Sequence, residues 1–88
     1  LEHAMTDRDQ LLRLRVRIED EPGELSTLST VLADRGANVR HVRHDRAVED
    51  LRVGEAYLVF EVTAAGREHA GQLLDAIRDR GYEVARIN

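Results

Sequence analysis

The side chains of this 88-residue sequence that could do chemistry are its histidines, hydroxyls and carboxylates, because it contains neither cysteine nor lysine. All thirteen basic residues are arginines. Disulfides, thiolate metal sites and a cysteine nucleophile are thereby excluded. So are a lysine Schiff base and lysine-assisted phosphate binding. His41 and His44 stand three apart in a predicted strand, which points them to opposite faces unless a bulge intervenes, and His69 falls on a predicted helix. A zinc site needs three or four converging ligands, so these histidines read as surface or sheet-face residues. His44-Asp45-Arg46 reads as an ion-pair patch near a loop. Ser26, Thr27, Ser29 and Thr30 share one helix with no Gly-x-Ser-x-Gly turn around them, and are expected to face solvent or a neighbouring subunit. No catalytic residue, metal ligand or cofactor is expected.

The segment Asp20-Glu21-Pro22-Gly23-Glu24-Leu25 leaves two readings open. A helix N-terminus offers unsatisfied backbone N–H groups that suit a carboxylate, and acids beside it suit an ammonium. Together they describe a site for an α-amino acid. The same residues also make a plain tight turn, with proline in the first helical turn and acids complementing the helix dipole. Glu49 and Asp50 carry only such a structural reading.

The elements that would position this turn follow from periodicity. Leu12, Leu14, Val16 and Ile18 alternate with Arg13, Arg15, Arg17 and Glu19, which is a half-buried strand. Leu25, Leu28, Val31 and Leu32 form one helical stripe, with Arg35 in the last turn and Gly36 as the C-terminal cap. Val39 and Val42 have opposite parity, so a bulge or a change of buried face is expected between them. Ala56, Leu58, Phe60 and Val62 alternate with Glu55, Tyr57, Val59, Glu61 and Thr63 in a third strand. Gly66 opens a second helix carrying Ala70, Leu73, Leu74 and Ile77, and Gly81 caps it. A short last strand holds Tyr82, Val84 and Ile87. Asp34-Arg35-Gly36 recurs as Asp79-Arg80-Gly81, with Leu28 and Leu32 falling on Leu73 and Ile77. This β-α-β-β-α-β order with matching halves predicts an α+β, ferredoxin-like sandwich of four antiparallel strands with both helices on one face. Arg13, Arg15 and Arg17 then lie on the other face beside Tyr57, Val59 and Glu61, where exposed pairs with Glu61 or Glu83, or contact with another sheet, are expected.

Length and charge agree with one domain. Hydrophobic residues are 42% and charged residues 34%, and the net charge of −4 argues against nucleic-acid and anionic-membrane partners. No apolar run reaches the roughly 18 residues of a membrane span, and no signal-peptide pattern is present. Leu1-Glu2-His3-Ala4 before Met5 reads as a cloning remnant, so residues 1–10 are taken as remnant and flexible lead-in and residues 11–88 as the domain.

Asp20-x-Pro22-Gly23-x-Leu25 after an alternating strand, with Gly36-Ala37-Asn38-Val39 at the helix exit, resembles the ACT domain, a small ligand-binding module of amino-acid metabolism. Val42-Arg43-His44-Asp45-Arg46, Val53-Gly54-Glu55-Ala56 and Arg80-Gly81-Tyr82-Glu83-Val84 are similar to the C-terminal ACT domain of catabolic-type threonine ammonia-lyases. The resemblance covers residues 11–88. It implies a cytoplasmic regulatory domain, not an enzyme, that pairs side by side with a second copy and joins two sheets into one. It also implies a ligand held by the turn of one subunit, Asp20, Glu21, Pro22, Gly23, Glu24 and Leu25, and by Asn38 at the start of the second strand of the other. The effectors of the biosynthetic lyases, isoleucine and valine, point to a small aliphatic amino acid and to isoleucine biosynthesis. This chain carries one such unit where many of those enzymes carry two in tandem. The pyridoxal phosphate lysine of a parent enzyme would belong to a separate catalytic domain. Other readings are a ligand-free dimerisation module, an acylphosphatase-type enzyme and an RNA-binding sheet. The second lacks an arginine in residues 20–25, and the third has only Tyr57 to stack on a base.

Overall fold

Alternating side chains build the sheet, and a computed structural model describes residues 9–46 and 48–88 of it. The expected remnant at residues 1–4, and all of the lead-in up to residue 8, lie outside the described residues. The chain runs β1 (Gln10–Glu19), α1 (Glu24–Asp34), β2 (Asn38–Asp45), β3 (Glu55–Ala64), α2 (Arg67–Asp79) and β4 (Glu83–Arg86). The strands form one antiparallel sheet in the order β2-β3-β1-β4, the expected ferredoxin-like arrangement. Leu12, Leu14 and Val16 of β1 and Leu58, Phe60 and Val62 of β3 are fully buried. They pack with Leu28, Val31 and Leu32 of α1 and Ala70, Leu73, Ala76 and Ile77 of α2 in one core cluster. No helix among the described residues is long and apolar enough to cross a membrane.

Both helices leave by the same exit, which is the physical content of the repeat. Gly36 and Gly81 have φ of +82° and +89°, a left-handed turn that glycine adopts without strain. At Gly36 the bonds Gly36 N–H to Ala33 O (2.9 Å) and Ala37 N–H to Leu32 O (3.0 Å) complete a Schellman motif. Arg35 is the cap residue itself, and α1 has no basic residue in its last turn.

The start of α1 differs from expectation. Pro22 precedes the helix, which begins at Glu24 after Gly23 at φ 94° and ψ −18°. Glu24 N–H reaches Glu21 O at 3.5 Å, so residues 21–24 make a type II turn with proline second and glycine third. Leu25, expected in the buried stripe, is 39% exposed because the stripe facing the core begins one turn later at Leu28.

The parity break in β2 is a bulge. Val39 pairs with Val62 and His41 with Glu61, leaving Arg40 as the extra residue. Val39 and Val42 therefore both pack against the core.

On the open face Arg13, Arg15 and Arg17 stand opposite Glu61, Val59 and Tyr57. Arg13 pairs with Glu61 at 3.0 Å as an exposed contact. Arg17 is more deeply engaged than expected. Its Nη2 donates to the Asp50 carbonyl at 2.5 Å, and its guanidinium lies 3.4 Å from the Asp50 carboxylate, 3.7 Å from that of Glu55 and 3.9 Å from that of Glu83. Arg15 lies 4.4 Å over the Tyr57 ring, whose hydroxyl donates to Asp50 at 2.8 Å. That bond, together with burial, raises the Tyr57 hydroxyl above its ordinary pKa. Tyr57 and Val59 are thus buried on the face without helices. The one aromatic ring that could have stacked on a base is covered by arginine.

Candidate functional site

β1 and β2 both run antiparallel to β3, so they are parallel to each other and their ends meet at the same end of the sheet. Asp20 follows β1 and Arg46 follows β2. An open cleft of about 410 Å³ lies there. All six residues of the expected turn, Asp20 to Leu25, line it, with Ile18, His44 and Arg46.

Two of the opposite charges in the cleft pair with each other. Arg46 Nε donates to Asp20 Oδ2 at 2.6 Å and Nη2 to Oδ1 at 3.2 Å. This two-point bond is the larger reason that the Asp20 carboxyl is held below its ordinary range, and it raises Arg46 in turn. The Asp20 backbone N–H donates to Gly54 O at 2.8 Å, which ties the turn to the β2–β3 loop. Glu24 accepts from the Tyr82 hydroxyl at 2.7 Å. Burial first, then this bond, pushes Tyr82 up to about 12. Glu21 is exposed, and its side chain has no partner among the described residues. Gly23 gives α1 no side-chain cap. The cleft therefore combines an anionic carboxylate, a planar cation, an uncapped helix start and the apolar surfaces of Ile18, Pro22 and Leu25. Such a set can hold a small zwitterion with an aliphatic side chain.

Asn38 is not brought to this cleft within one chain. It opens β2, and eight residues at about 3.3 Å each put it roughly 25 Å from the strand's other end. Its side of the sheet is held by His69. The ring Nδ1 accepts from Ala65 N–H at 2.8 Å, so the proton sits on Nε2, which donates to Arg35 O at 2.6 Å. His69 thereby ties the end of α1 to the start of α2, just before Asn38. Among the described residues no group of three or more histidines and carboxylates could hold a metal ion.

Ile18, His44 and Arg46 are the lining residues that the turn-centred reading left out. Arg46 forms an ion pair, but with Asp20 across the cleft and not within the His44-Asp45-Arg46 patch. The parallel course of β1 and β2, implied by the strand order, is the signal that would have joined Asp20 to Arg46.

The model of the ACT domain family matches residues 12–81. Over 84 residues the chain is 30% identical to an L-threonine ammonia-lyase of Geobacter sulfurreducens, covering 96% of this chain and 21% of that protein. Over 67 residues it is 31% identical to an L-threonine ammonia-lyase of Thermotoga maritima, covering 76% and 17%. The chain thus spans about a fifth of the length of these curated relatives. Among solved structures, the crystal structure of the ACT domain from GTP pyrophosphokinase of Chlorobium tepidum matches with a TM-score of 0.68 at 21% identity, over 90% of this chain and 99% of that one. At that identity the likeness speaks for the fold.

Proposed function

From the premise that the chain belongs to the ACT domain family, we propose that it senses a small aliphatic amino acid, of the isoleucine or valine class, and tunes the catalytic domain of a threonine ammonia-lyase. An ACT domain is a regulatory module, not a catalytic one. The observation that carries the proposal is the cleft at the ends of β1 and β2, where opposite charges and an uncapped helix start stand beside Ile18 and Leu25. The ligand's carboxylate is assigned to the N–H groups around Gly23 to Leu25, its ammonium to Asp20 and Asn38, and its side chain to the apolar wall.

Asn38 takes part through a second copy. The sheet's open edges are β2, with eight residues, and β4, with four. Two copies of β2 pairing antiparallel about a two-fold axis would lay the start of one strand beside the end of the other. Asn38 of each copy then approaches His44 and Arg46 of its neighbour. Pairing also removes the longer exposed edge. The domain is taken as residues 11–88, in a cytoplasmic enzyme.

A ligand-free dimerisation module is favoured by one observation: Arg46 and Asp20 satisfy each other without a guest. Calorimetric titration of the twenty amino acids, with light scattering alongside, decides between the two. A dimer that binds isoleucine or valine supports sensing. A dimer that binds no amino acid leaves the structural module. A 10.0 kDa monomer at tens of micromolar refutes both.

A further inference from the structure

The bond between Asp20 and Arg46 lies across the cleft that an amino acid would enter. Arg46 engages both carboxylate oxygens of Asp20, at 2.6 and 3.2 Å. An incoming ammonium competes with the guanidinium for that carboxylate. The displaced guanidinium is then a planar, permanently charged fork on the wall of the same cleft, whose geometry fits a carboxylate at two points.

We propose that Arg46 is an exchangeable anchor: the ligand inserts its zwitterion into the Asp20–Arg46 pair, its ammonium taking Asp20 and its carboxylate taking Arg46. This inference rests on the reading of the cleft as an amino-acid site. Three features carry it. The exchange conserves charge, since Asp20 and Arg46 each trade one ionic partner for another and neither is left unpaired. Arg46 is free to swing, because its side chain is 59% exposed and it stands just past the last paired residue of β2, Asp45. The cleft already places Arg46 with the start of α1, so one carboxylate can meet guanidinium and helix N–H groups together. The exchange also has a mechanical result. In the empty domain the ends of β1 and β2 are tied directly, and in the filled one they are tied through the guest.

The test uses the 88-residue chain with L-isoleucine and L-isoleucinol, which share side chain and ammonium but differ in the carboxylate. Wild type should bind isoleucine and bind isoleucinol more weakly. Arg46→Gln should weaken isoleucine about tenfold or more, yet leave isoleucinol unchanged or tighter, because Asp20 no longer has a competitor. Asp20→Asn should weaken both. Circular dichroism of each variant verifies the fold. Equal isoleucine affinity in wild type and Arg46→Gln would overturn the exchange while leaving the amino-acid site intact. Equal weakening of both ligands in Arg46→Gln would reduce Arg46 to a structural tie. A wild-type domain that binds neither isoleucine nor valine would overturn the amino-acid site, and the exchange with it.

Discussion

Replacing Gly23 with alanine separates backbone strain from every other property of the cleft. Gly23 has φ +94°, and a Cβ built there meets nothing within 4 Å. Steric collision therefore contributes nothing, and the cost is that of a left-handed residue with a side chain, about 1–2 kcal/mol. Alanine also narrows the unfolded ensemble, which offsets part of this where the native φ is tolerated. The net expectation is about 1 kcal/mol, or roughly 4–8 °C in Tm for a domain of this size. Asparagine visits the left-handed region more readily and should lose less, whereas β-branched valine should lose most. Thermal unfolding followed by circular dichroism, on glycine, asparagine, alanine and valine side by side, reads out that order. An alanine variant within 1 °C of wild type would refute the reasoning, because residues 21–24 would then not form a type II turn in solution.

Tyr82, raised to about 12 by burial and by its bond to Glu24, keeps its proton in the folded state after the unfolded chain has lost it near 10. Its contribution is thus complete below pH 10 and fades as pH rises from 10 to 12, and Tyr82→Phe should flatten that part of a Tm-against-pH curve. Arg17→Ala should cost about 1–3 kcal/mol in denaturant unfolding, since it strips the Asp50 loop of a hydrogen bond and uncovers Tyr57. Arg13→Ala, a pair with more than half its arginine exposed, should cost less than about 1 kcal/mol, and equal losses would contradict the assignment of Arg17 as a hub. Phe60→Ala, fully buried at the centre of β3, should cost about 3–5 kcal/mol, and retention of wild-type stability would mean that the strand's faces are reversed.

The strands were legible because burial on one side of a pleated sheet writes itself as alternation, and β1 buries Leu12, Leu14, Val16 and Ile18 as that rule requires. The bulge was legible for the same reason, since two valines of opposite parity cannot both reach one core without an extra residue. Helix exits were legible because only glycine takes their φ cheaply. The first residue of α1 was not, because proline suits both the second position of a turn and the first turn of a helix, and the choice depended on Gly23. The burial of Tyr57 escaped alternation altogether: its cover is arginine, a residue that pattern reading assigns to solvent although its guanidinium can lie flat on a ring. The cleft was half legible. Residues adjacent in sequence, Asp20 to Leu25, declared themselves, whereas Arg46 arrives from 26 positions away through strand order.

The extra residue in β2 makes this strand unusually tolerant of a particular edit. Loss of Arg40, a single in-frame codon, would remove the bulge and set Val39 two residues before Val42, at equal parity, so both valines would still face the core and Asn38 would keep its place opposite Thr63. Descendants of this gene could therefore straighten this edge strand by one deletion without turning any of its core residues outward.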